Sequence, residues 1–354
     1  MCPLVLELQK AEDVECIVCL TGQHKEMLQQ VMDAFAVEAD YNLDIMKERQ
    51  TLTTITTSIL EKIEPVLKQE QPDIVLVHGD TTTSYAAALA AFYQQIPVGH
   101  VEAGLRTGDI YSPFPEEMNR LLTDRISTVY FAPTEQNEKN LLREGISQNI
   151  HVTGNTVIDA FSSTVKDEYV YCEEKLRNVD FEERRVILVT AHRRENLGRP
   201  LENICNAIKR LAEMHEDVLF IYPVHLNPAV RDTVFSVLSS VHNVMLIEPV
   251  DVLDMHNMMS RCFMVMTDSG GIQEEAPHFG KPVLVLRTET ERPEAVEAGT
   301  VRVVGVDENV IVSEAEKLLN DSDAYEKMAH AVNPYGDGHA SERIVQILKQ
   351  MEEL

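Results

Sequence analysis

The chain has 354 residues, of which 44% are hydrophobic and 25% charged, a composition typical of a globular protein with room for two domains. Its 58 acidic residues outnumber 31 basic ones, and the formal charge of −27 argues against a nucleic-acid or anionic-membrane partner. Six scattered cysteines, no signal-peptide pattern and no apolar run near the roughly 20 residues that cross a bilayer predict a reduced, cytoplasmic protein.

The first half of the chain alternates strand and helix patterns. Pro3 predicts that the chain opens with a helix, because proline suits a first helical turn. Short β-branched runs then alternate with helical periodicity, which predicts a parallel sheet with helices on both faces. The strand candidates are 14–20, 74–79, 98–103, 128–133 and 150–154.

The same alternation repeats in the second half. Its strand candidates are 185–192, 218–225, 244–250, 262–271, 281–287 and 301–307. Because eleven strands are too many for one comfortable doubly wound sheet, the sequence predicts two Rossmann-like domains. We expect an N-terminal domain over 1–168, a C-terminal domain over 169–335, and a final helix over 336–354 that packs back across the domains.

The opening helix is unusual for this architecture. A doubly wound domain normally begins with a strand, and its first strand-to-helix turn normally binds phosphate. We therefore expect the first strand of the N-terminal domain to be missing.

The segment "MTDSGGIQEEAP" (266–277) reads as a strand, a glycine-containing turn and a helix. Gly270 and Gly271 would let a phosphate approach backbone N–H groups at the helix start, and Ser269 could cap the helix or donate its hydroxyl. Glu275, one helical turn further on, could accept hydrogen bonds from a ribose. A plain tight turn with a serine cap explains the spacing equally well.

Three acids stand at or just beyond the ends of predicted strands of the first half: Asp80, Glu102 and Glu116. Parallel sheets bind ligands at this edge, and carboxylates brought together there can exchange a carbon-bound proton. With His192 at the equivalent edge of the second half, they would form a cleft between domains. Taken singly, Asp80 could instead cap a helix and Glu116 could be an ordinary first-turn acid.

The segment "VTAHRREN" (189–196) places His192, Arg193 and Arg194 at a strand end. Phosphate recognition and a surface-exposed basic patch explain this cluster about equally well. His225 also ends an apolar strand, where a structural histidine is the commoner case. No pattern typical of a metal site, a hydrolase nucleophile or a dinucleotide-binding turn occurs, so we expect no cofactor and no metal.

Taken in order, the motifs resemble the non-hydrolysing bacterial UDP-N-acetylglucosamine 2-epimerases along essentially the whole chain. These motifs are "TGQHKEML", "VHGDTTTS", "HVEAGLRTGD", "SPFPEEMNR", "VTAHRREN", "YPVHLNP", "TDSGGIQEEAP" and "ERPEAVEAGT". The resemblance implies the two-domain GT-B fold and interconversion of UDP-GlcNAc and UDP-ManNAc, by elimination of UDP to 2-acetamidoglucal and re-addition. It also implies a supply of ManNAc units for cell-surface polysaccharide.

The resemblance further implies roles for single residues. Catalytic roles fall on Asp80, Glu102, Glu116 and His192, with His192 helping UDP to leave. UDP binding falls on Ser269, Gly270, Gly271, Glu275 and Arg292. A second, activating UDP-GlcNAc is expected at Gln23, Glu26, Arg49, Glu116, Arg193 and His225, and the family is commonly a homodimer.

Two other functions stay open at this stage. A GT-B glycosyltransferase that uses a UDP-sugar would explain the glycine turn, though not the three acids. A UDP-sugar-binding protein without turnover would explain the absence of the "GTRPEAIK"-like turn with which family members begin.

Overall fold

The computed structural model describes residues 1–22, 25–47, 50–290 and 292–351, with the side chains of residues 25–27 excepted. The described chain forms two compact units. The first contains Met1–Ser163 and the residues from Tyr335 onward, and the second contains Thr164–Pro334. Within the described ranges, no helix combines the length and apolar character that spanning a bilayer requires.

The first unit contains two parallel sheets. Its strands are β1 (Cys19–Leu20), β2 (Tyr41–Asn42), β3 (Val75–His78), β4 (Val98–Val101), β5 (Val129–Ala132) and β6 (Ile150–Val152). Strands β3 to β6 pair in chain order, whereas β1 pairs only with β2. In the register of β3 and β4, His78 lies opposite Val101, so the residues that follow these strands emerge side by side.

Helices alternate with these strands. They are α1 (Cys2–Gln9), α2 (Lys25–Phe35), α3 (Leu52–Glu70), α4 (Thr82–Tyr93), α5 (Glu116–Ile126), α6 (Glu135–Arg143), α7 (Thr156–Asp159) and α8 (Phe161–Thr164). Thr51 begins α3 with a capping box, and the helix buries isoleucines at positions 55, 59 and 63 on one face. These side chains pack on the alanines of α4, whose small volume lets the two helices approach closely.

The second unit contains one six-stranded parallel sheet. Its strands are β7 (Arg185–Thr190), β8 (Val218–Pro223), β9 (Val244–Ile247), β10 (Met264–Thr267), β11 (Val283–Val285) and β12 (Val301–Val303). The order across the sheet is β9-β8-β7-β10-β11-β12, which is the Rossmann order. From β7 the chain adds strands toward one edge of the sheet, and from β10 it adds strands toward the other edge. Open α/β sheets bind ligands beyond the strand ends at the point where this order reverses.

Helices cover this sheet and bury a large apolar core against it. They are α9 (Arg199–Met214), α10 (Pro228–Leu238), α11 (Val252–Arg261), α12 (Gly270–Glu275), α13 (Pro293–Ala298), α14 (Glu308–Asn320) and α15 (Ser322–Ala329). Three short 3₁₀ helices accompany them, at Glu174–Asn178, Arg194–Asn196 and Ala276–Phe279.

The last helix, α16 (Ala340–Gln350), belongs to the first unit. The carboxylate of Asp159 accepts the backbone N–H groups of Ala340 and Ser341 at 3.1 and 2.5 Å, which satisfies the start of the helix. Ile344 of α16 packs into an apolar cluster with Leu4 of α1, which explains why the two terminal helices share one unit.

Every predicted strand run contains a strand, and the predicted opening helix is confirmed as α1, with its proline in the first turn. The run 14–20 is strand only over Cys19–Leu20, because the N–H of Val18 donates to the carboxylate of Asp40 at 2.7 Å instead of to a neighbouring strand. The predicted class, α/β with parallel sheets in two units, is confirmed.

Candidate active site

The turn that follows β3 is fixed at three successive carbonyl groups. Side chains of the first unit donate to each of them: Ser84 to His78 at 2.5 Å, His100 to Gly79 at 2.9 Å, and Asn119 to Asp80 at 2.9 Å. A loop backbone bound at three consecutive positions has little freedom. The backbone that carries the Asp80 side chain is therefore held in one position.

The carboxylate of Asp80 is held by a buried arginine. It accepts from Nε and Nη2 of Arg120 at 3.1 and 2.7 Å. Arg120 also donates to the buried Glu117 at 2.9 Å, and Glu117 accepts the backbone N–H groups of Thr107 and Gly108. This chain of contacts ties helix α5 both to the turn after β3 and to the loop after β4.

His100, in the middle of β4, is fully buried and is bound at both ring nitrogens. Nδ1 lies 2.5 Å from Oδ1 of Asp124, and Nε2 lies 2.9 Å from the carbonyl oxygen of Gly79. Neither a carboxylate nor a carbonyl can donate, so both ring nitrogens carry protons and the ring is an imidazolium. Burial disfavours this charge, but the charge and hydrogen bond of Asp124 outweigh burial and raise the pKa of His100.

Asp124 also binds a second cation. Arg106 donates to its Oδ2 at 2.6 Å and makes two further bonds to Glu144 at 2.6 and 2.9 Å. The buried His100, the partly buried Arg106 and two acids thus alternate in one network, and their formal charges cancel. Burial opposes the ionised form of Asp124, yet His100 and Arg106 together lower the pKa of this carboxyl.

Glu102 follows β4 in a strained backbone conformation. Its φ of +67° lies in the left-handed region, which costs a residue with a side chain roughly 1–2 kcal/mol. Oε1 of Glu102 lies 3.4 Å from Nδ2 of Asn155, and Oε2 lies 3.7 Å from Nε2 of His78. Gly79 has a φ of +63°, a conformation that strains any other residue, and a side chain there would begin 2.9 Å from Oε2 and displace the Glu102 carboxylate.

The structure therefore brings Asp80 and Glu102 to one edge of the sheet, just beyond the ends of the adjacent strands β3 and β4. Burial lowers the pKa of the neighbouring His78 to about 3, so this ring is neutral at pH 7. The alternative role of Asp80 as a helix cap is wrong, because the side chain of Thr81 caps α4. Glu116 is half-buried in the first turn of α5, as the alternative for that residue predicted.

In the second unit, Asp268 organises the point where the sheet order reverses. It follows β10, is fully buried, and lies beside the segment that follows β7. Its Oδ2 accepts the N–H groups of His192 and Arg193 at 2.8 Å each and the side-chain amide of Asn196 at 3.0 Å. These bonds fix the loop that carries His192.

His192 itself is partly exposed, with 41% of its side chain accessible. Its ring stacks on that of His225, with centroids 5.1 Å apart and planes within 6°. Burial lowers the pKa of His192, opposed by the charge of Asp268 and assisted by His225 and Arg193. The Arg193 guanidinium lies over the start of α12, 3.8 Å from where a side chain at Gly270 would begin.

The predicted strand–turn–helix at "TDSGG" is present. Ser269 holds the N-cap position of α12, as the tight-turn alternative predicts, but its hydroxyl makes no capping hydrogen bond within the described residues. Gly271 is exposed, and a side chain there would meet the carboxylate of Glu275 at 3.0 Å. The turn thus offers a hydroxyl and an open glycine backbone on the side where Glu275 stands.

Glu275 and Arg292 have different surroundings. Burial, aided by the charge of Glu274, raises the pKa of Glu275 to about 7. Its Oε2 lies 3.6 Å from Nε2 of His256, a ring whose pKa burial lowers to about 4. Arg292 instead forms an ion pair with the buried Glu274.

Three of the positions expected for a second nucleotide sugar cannot be placed. Gln23 and Arg49 lie outside the described residues, and Glu26 lies in α2 with its side chain outside the described part of the structure. In the part of the chain that is described, no group of three or more histidine, cysteine, aspartate or glutamate side chains could hold a metal ion.

A family model described as UDP-N-acetylglucosamine 2-epimerase matches residues 6–349. The chain belongs to the UDP-N-acetylglucosamine 2-epimerase family. It is 55% identical to the UDP-N-acetylglucosamine 2-epimerase of Bacillus subtilis over 98% of this chain and 91% of that protein.

Solved structures of family members agree with this assignment. The UDP-GlcNAc 2-epimerase of Neisseria meningitidis, solved bound to UDP-GlcNAc, is 50% identical, with a TM-score of 0.88 over 99% of this chain and 96% of that one. The Methanocaldococcus jannaschii enzyme, solved with UDP-GlcNAc and UDP, is 36% identical, with a TM-score of 0.79 over 99% and 95%. The predicted family and its GT-B fold are confirmed.

Sequence reasoning missed several residues that hold the candidate site together. Arg120 had a usable signal, because it lies three residues after Glu117 on one helix. His100 and Asp124 had none, because they lie 24 residues apart and meet only in the folded unit. Asp268 also had a usable signal. It directly precedes Ser269 and follows an apolar strand run, the pattern by which Asp80 was predicted to be a site residue.

Proposed function

We propose that this protein interconverts UDP-GlcNAc and UDP-ManNAc. Family membership over residues 6–349 supports the substrate class. The observation that carries the proposal is the pair of carboxylates on adjacent strand ends, Asp80 on a turn bound at three carbonyls and Glu102 in strained backbone. A glycosyltransferase or a passive binding protein has no need for acids held in this way.

The proposed chemistry is elimination followed by re-addition. A carboxylate removes the proton from C2, the C1–oxygen bond to UDP breaks, and its electrons leave with UDP while 2-acetamidoglucal forms. A proton then arrives at the opposite face of C2, and UDP adds back to C1. Asp80, Glu102 and Glu116 form the acid/base set of this proposal, since proton transfer at both faces needs more than one such group.

The UDP part of the substrate is proposed to bind to the second unit. Ser269, Gly270, Gly271, Glu275 and Arg292 are proposed to bind UDP. The start of α12 offers backbone N–H groups for phosphate, and the carboxylate of Glu275 suits a ribose diol. His192, at the reversal point of the sheet, is proposed to assist the departure of UDP, whose leaving oxygen gains negative charge.

We propose the non-hydrolysing type of reaction, in which the sugar returns to UDP. The test is to incubate the protein with UDP-GlcNAc and to follow the phosphorus and anomeric proton signals by NMR. UDP-ManNAc is expected, with no accumulation of free UDP. Free UDP together with free ManNAc would identify a hydrolysing enzyme, and transfer of GlcNAc to an added acceptor would identify a transferase.

We also propose activation by a second UDP-GlcNAc and a homodimeric state. The described part of the proposed activator site includes Arg193 and His225, which adjoin His192, and Glu116. Conversion that starts from UDP-ManNAc alone is expected to be slow and to accelerate when a trace of UDP-GlcNAc is added. Light scattering would measure the mass of the particle, and a monomer would contradict the dimer.

The raised pKa of Glu275 gives a pH prediction for UDP binding. With a pKa of about 7, roughly a tenth of this carboxyl is ionised at pH 6 and roughly nine tenths at pH 8. If the carboxylate accepts the ribose hydroxyls, UDP affinity should rise by up to about tenfold between pH 6 and pH 8. Titration calorimetry in buffers of different ionisation enthalpy should also show proton release below pH 7.

The control is Glu275→Gln, which keeps the shape of the side chain and removes its titration. UDP has a phosphate that titrates near pH 6, and the Gln variant measures that contribution separately. The variant should lose the additional pH dependence. A pH profile identical in both proteins would remove Glu275 from the binding site.

A further inference from the structure

Asp268 has one oxygen that the fold does not use. Its Oδ2 accepts three N–H donors from His192, Arg193 and Asn196. Its Oδ1 is buried and accepts no hydrogen bond from the residues that the structure describes. A buried carboxylate oxygen without a donor is costly, so native proteins rarely keep one without a use.

The nearest ring nitrogen to this oxygen is Nδ1 of His192, at 3.8 Å. That separation exceeds a hydrogen bond by about 1 Å, since N–H···O bonds to carboxylates span about 2.7–2.9 Å. The ring of His192 is partly exposed and can close the gap by a small rotation. The stacking of the His192 ring on His225 keeps the plane of the His192 ring fixed during this rotation.

We propose that Asp268 is a positioning residue for His192: its free Oδ1 takes the Nδ1–H bond and so fixes which nitrogen of His192 faces outward. A histidine that donates from Nδ1 to a carboxylate keeps the other nitrogen, Nε2, for a ligand. The neutral ring accepts at Nε2, and it donates there to the leaving oxygen of UDP once it has gained a second proton, as an imidazolium that the carboxylate of Asp268 stabilises. This is the arrangement by which a buried aspartate sets the tautomer of a catalytic histidine in hydrolytic triads. The catalytic meaning rests on the proposed function, since only there does His192 act on UDP.

The hydrogen bonds of Asp268 make Asp268→Asn a sharp test. The amide oxygen of the variant side chain must stay where three N–H donors converge, because an NH₂ group there would face donors only. The NH₂ group of that side chain would then point toward Nδ1 of His192. His192 would have to accept at Nδ1, so its proton would move to Nε2.

The tautomer is read by two-bond ¹H–¹⁵N correlation NMR of histidine-labelled protein at pH 8. The chain has 12 histidines, and the His192 signals are those that disappear in His192→Gln. The wild type is expected to carry the proton on Nδ1, and Asp268→Asn to carry it on Nε2. The groups that face His192 are Asp268, His225 and Arg193, so His225→Phe, which keeps a stacked ring, serves as the control and should leave the proton on Nδ1.

Wild-type protein with the proton on Nε2 would overturn the proposal, and this result needs no variant to fold. An Asp268→Asn protein that melts cooperatively and keeps the Nδ1 proton would also overturn it. In an active enzyme, Asp268→Asn should lower kcat by about 10²-fold or more with KM within a few-fold. If the tautomers behave as expected and no epimerase activity is found, the proposed function fails while the Asp268–His192 pairing stands.

Discussion

Replacing Glu102 by glutamine is expected to lower hydrogen exchange at C2 of UDP-GlcNAc by about 10²- to 10⁴-fold, the range that one general acid or base supplies. Glutamine keeps the size of the side chain and its contact with Asn155, but it cannot accept the C2 proton. The affinity for UDP should stay within a few-fold, because the proposed UDP contacts lie on the second unit. Exchange is measured by NMR and affinity by calorimetry.

Glu135→Gln is the matched control. Glu135 also belongs to the first unit, but its side chain is 81% exposed at the start of α6. The Glu135→Gln variant should exchange hydrogen at C2 of UDP-GlcNAc at the wild-type rate. A Glu102→Gln protein that exchanges at a near-normal rate would exclude Glu102 from the proton transfer, whatever the control does.

Asp124→Asn is expected to cause the largest loss of stability. Asp124 is fully buried between the His100 imidazolium and the Arg106 guanidinium. Removing its charge leaves the buried His100 imidazolium without a counter-ion, whereas Arg106 keeps its pair with Glu144. Removing one partner of a buried ion pair typically costs about 3–5 kcal/mol. Denaturant unfolding of both proteins gives the difference in free energy of unfolding.

Glu64→Gln is the comparison for that measurement. It breaks the exposed pair with Lys68 on α3, and pairs of this kind contribute about 0.5 kcal/mol or less. A loss from Asp124→Asn as small as that from Glu64→Gln would contradict the buried-cation assignment.

The effect of Asp124 should also depend on pH in a definite direction. The lowered pKa of Asp124 gives a stability contribution that is present above its unfolded pKa of about 3.9 and is lost as the pH falls. The raised pKa of His100 gives a contribution that is complete below its unfolded pKa of about 6.5 and is lost as the pH rises through its folded pKa. The wild-type advantage over Asp124→Asn should therefore be greatest between roughly pH 4 and 6.5.

Local pattern was enough to predict most of the fold. A parallel strand is buried on both faces, so runs such as 185–192 and 218–225 stand out by composition alone. The short β2 escaped prediction because Tyr41 and Asn42 form no apolar run and pair only with the two residues of β1. The late start of the strand within 14–20 was equally hidden, since it depends on the N–H of Val18 donating to the side chain of Asp40.

The candidate site also has features that local sequence patterns predict and features that they do not. The carboxyl ends of parallel strands meet at one edge, so strand prediction alone put Asp80 and Glu102 together. The left-handed backbone of Glu102 was not predictable, because a positive φ in "HVEAG" would be assigned to Gly104, which has one as well. The partners of the acids are distant in sequence: Arg120 of α5 for Asp80, and Asn155 and His78 for Glu102. Pairing across such sequence distances leaves no periodic signal.

The most direct test of the central claim, that strand-end acids of the first unit exchange the proton at C2, is turnover in D₂O. The protein is incubated with UDP-GlcNAc, and the H2 signals of both nucleotide sugars are followed by ¹H NMR. We predict that deuterium enters C2 of UDP-ManNAc at the first turnover and C2 of the recovered UDP-GlcNAc as the reaction reaches equilibrium. UDP-ManNAc that forms with its original hydrogen at C2 would contradict this account.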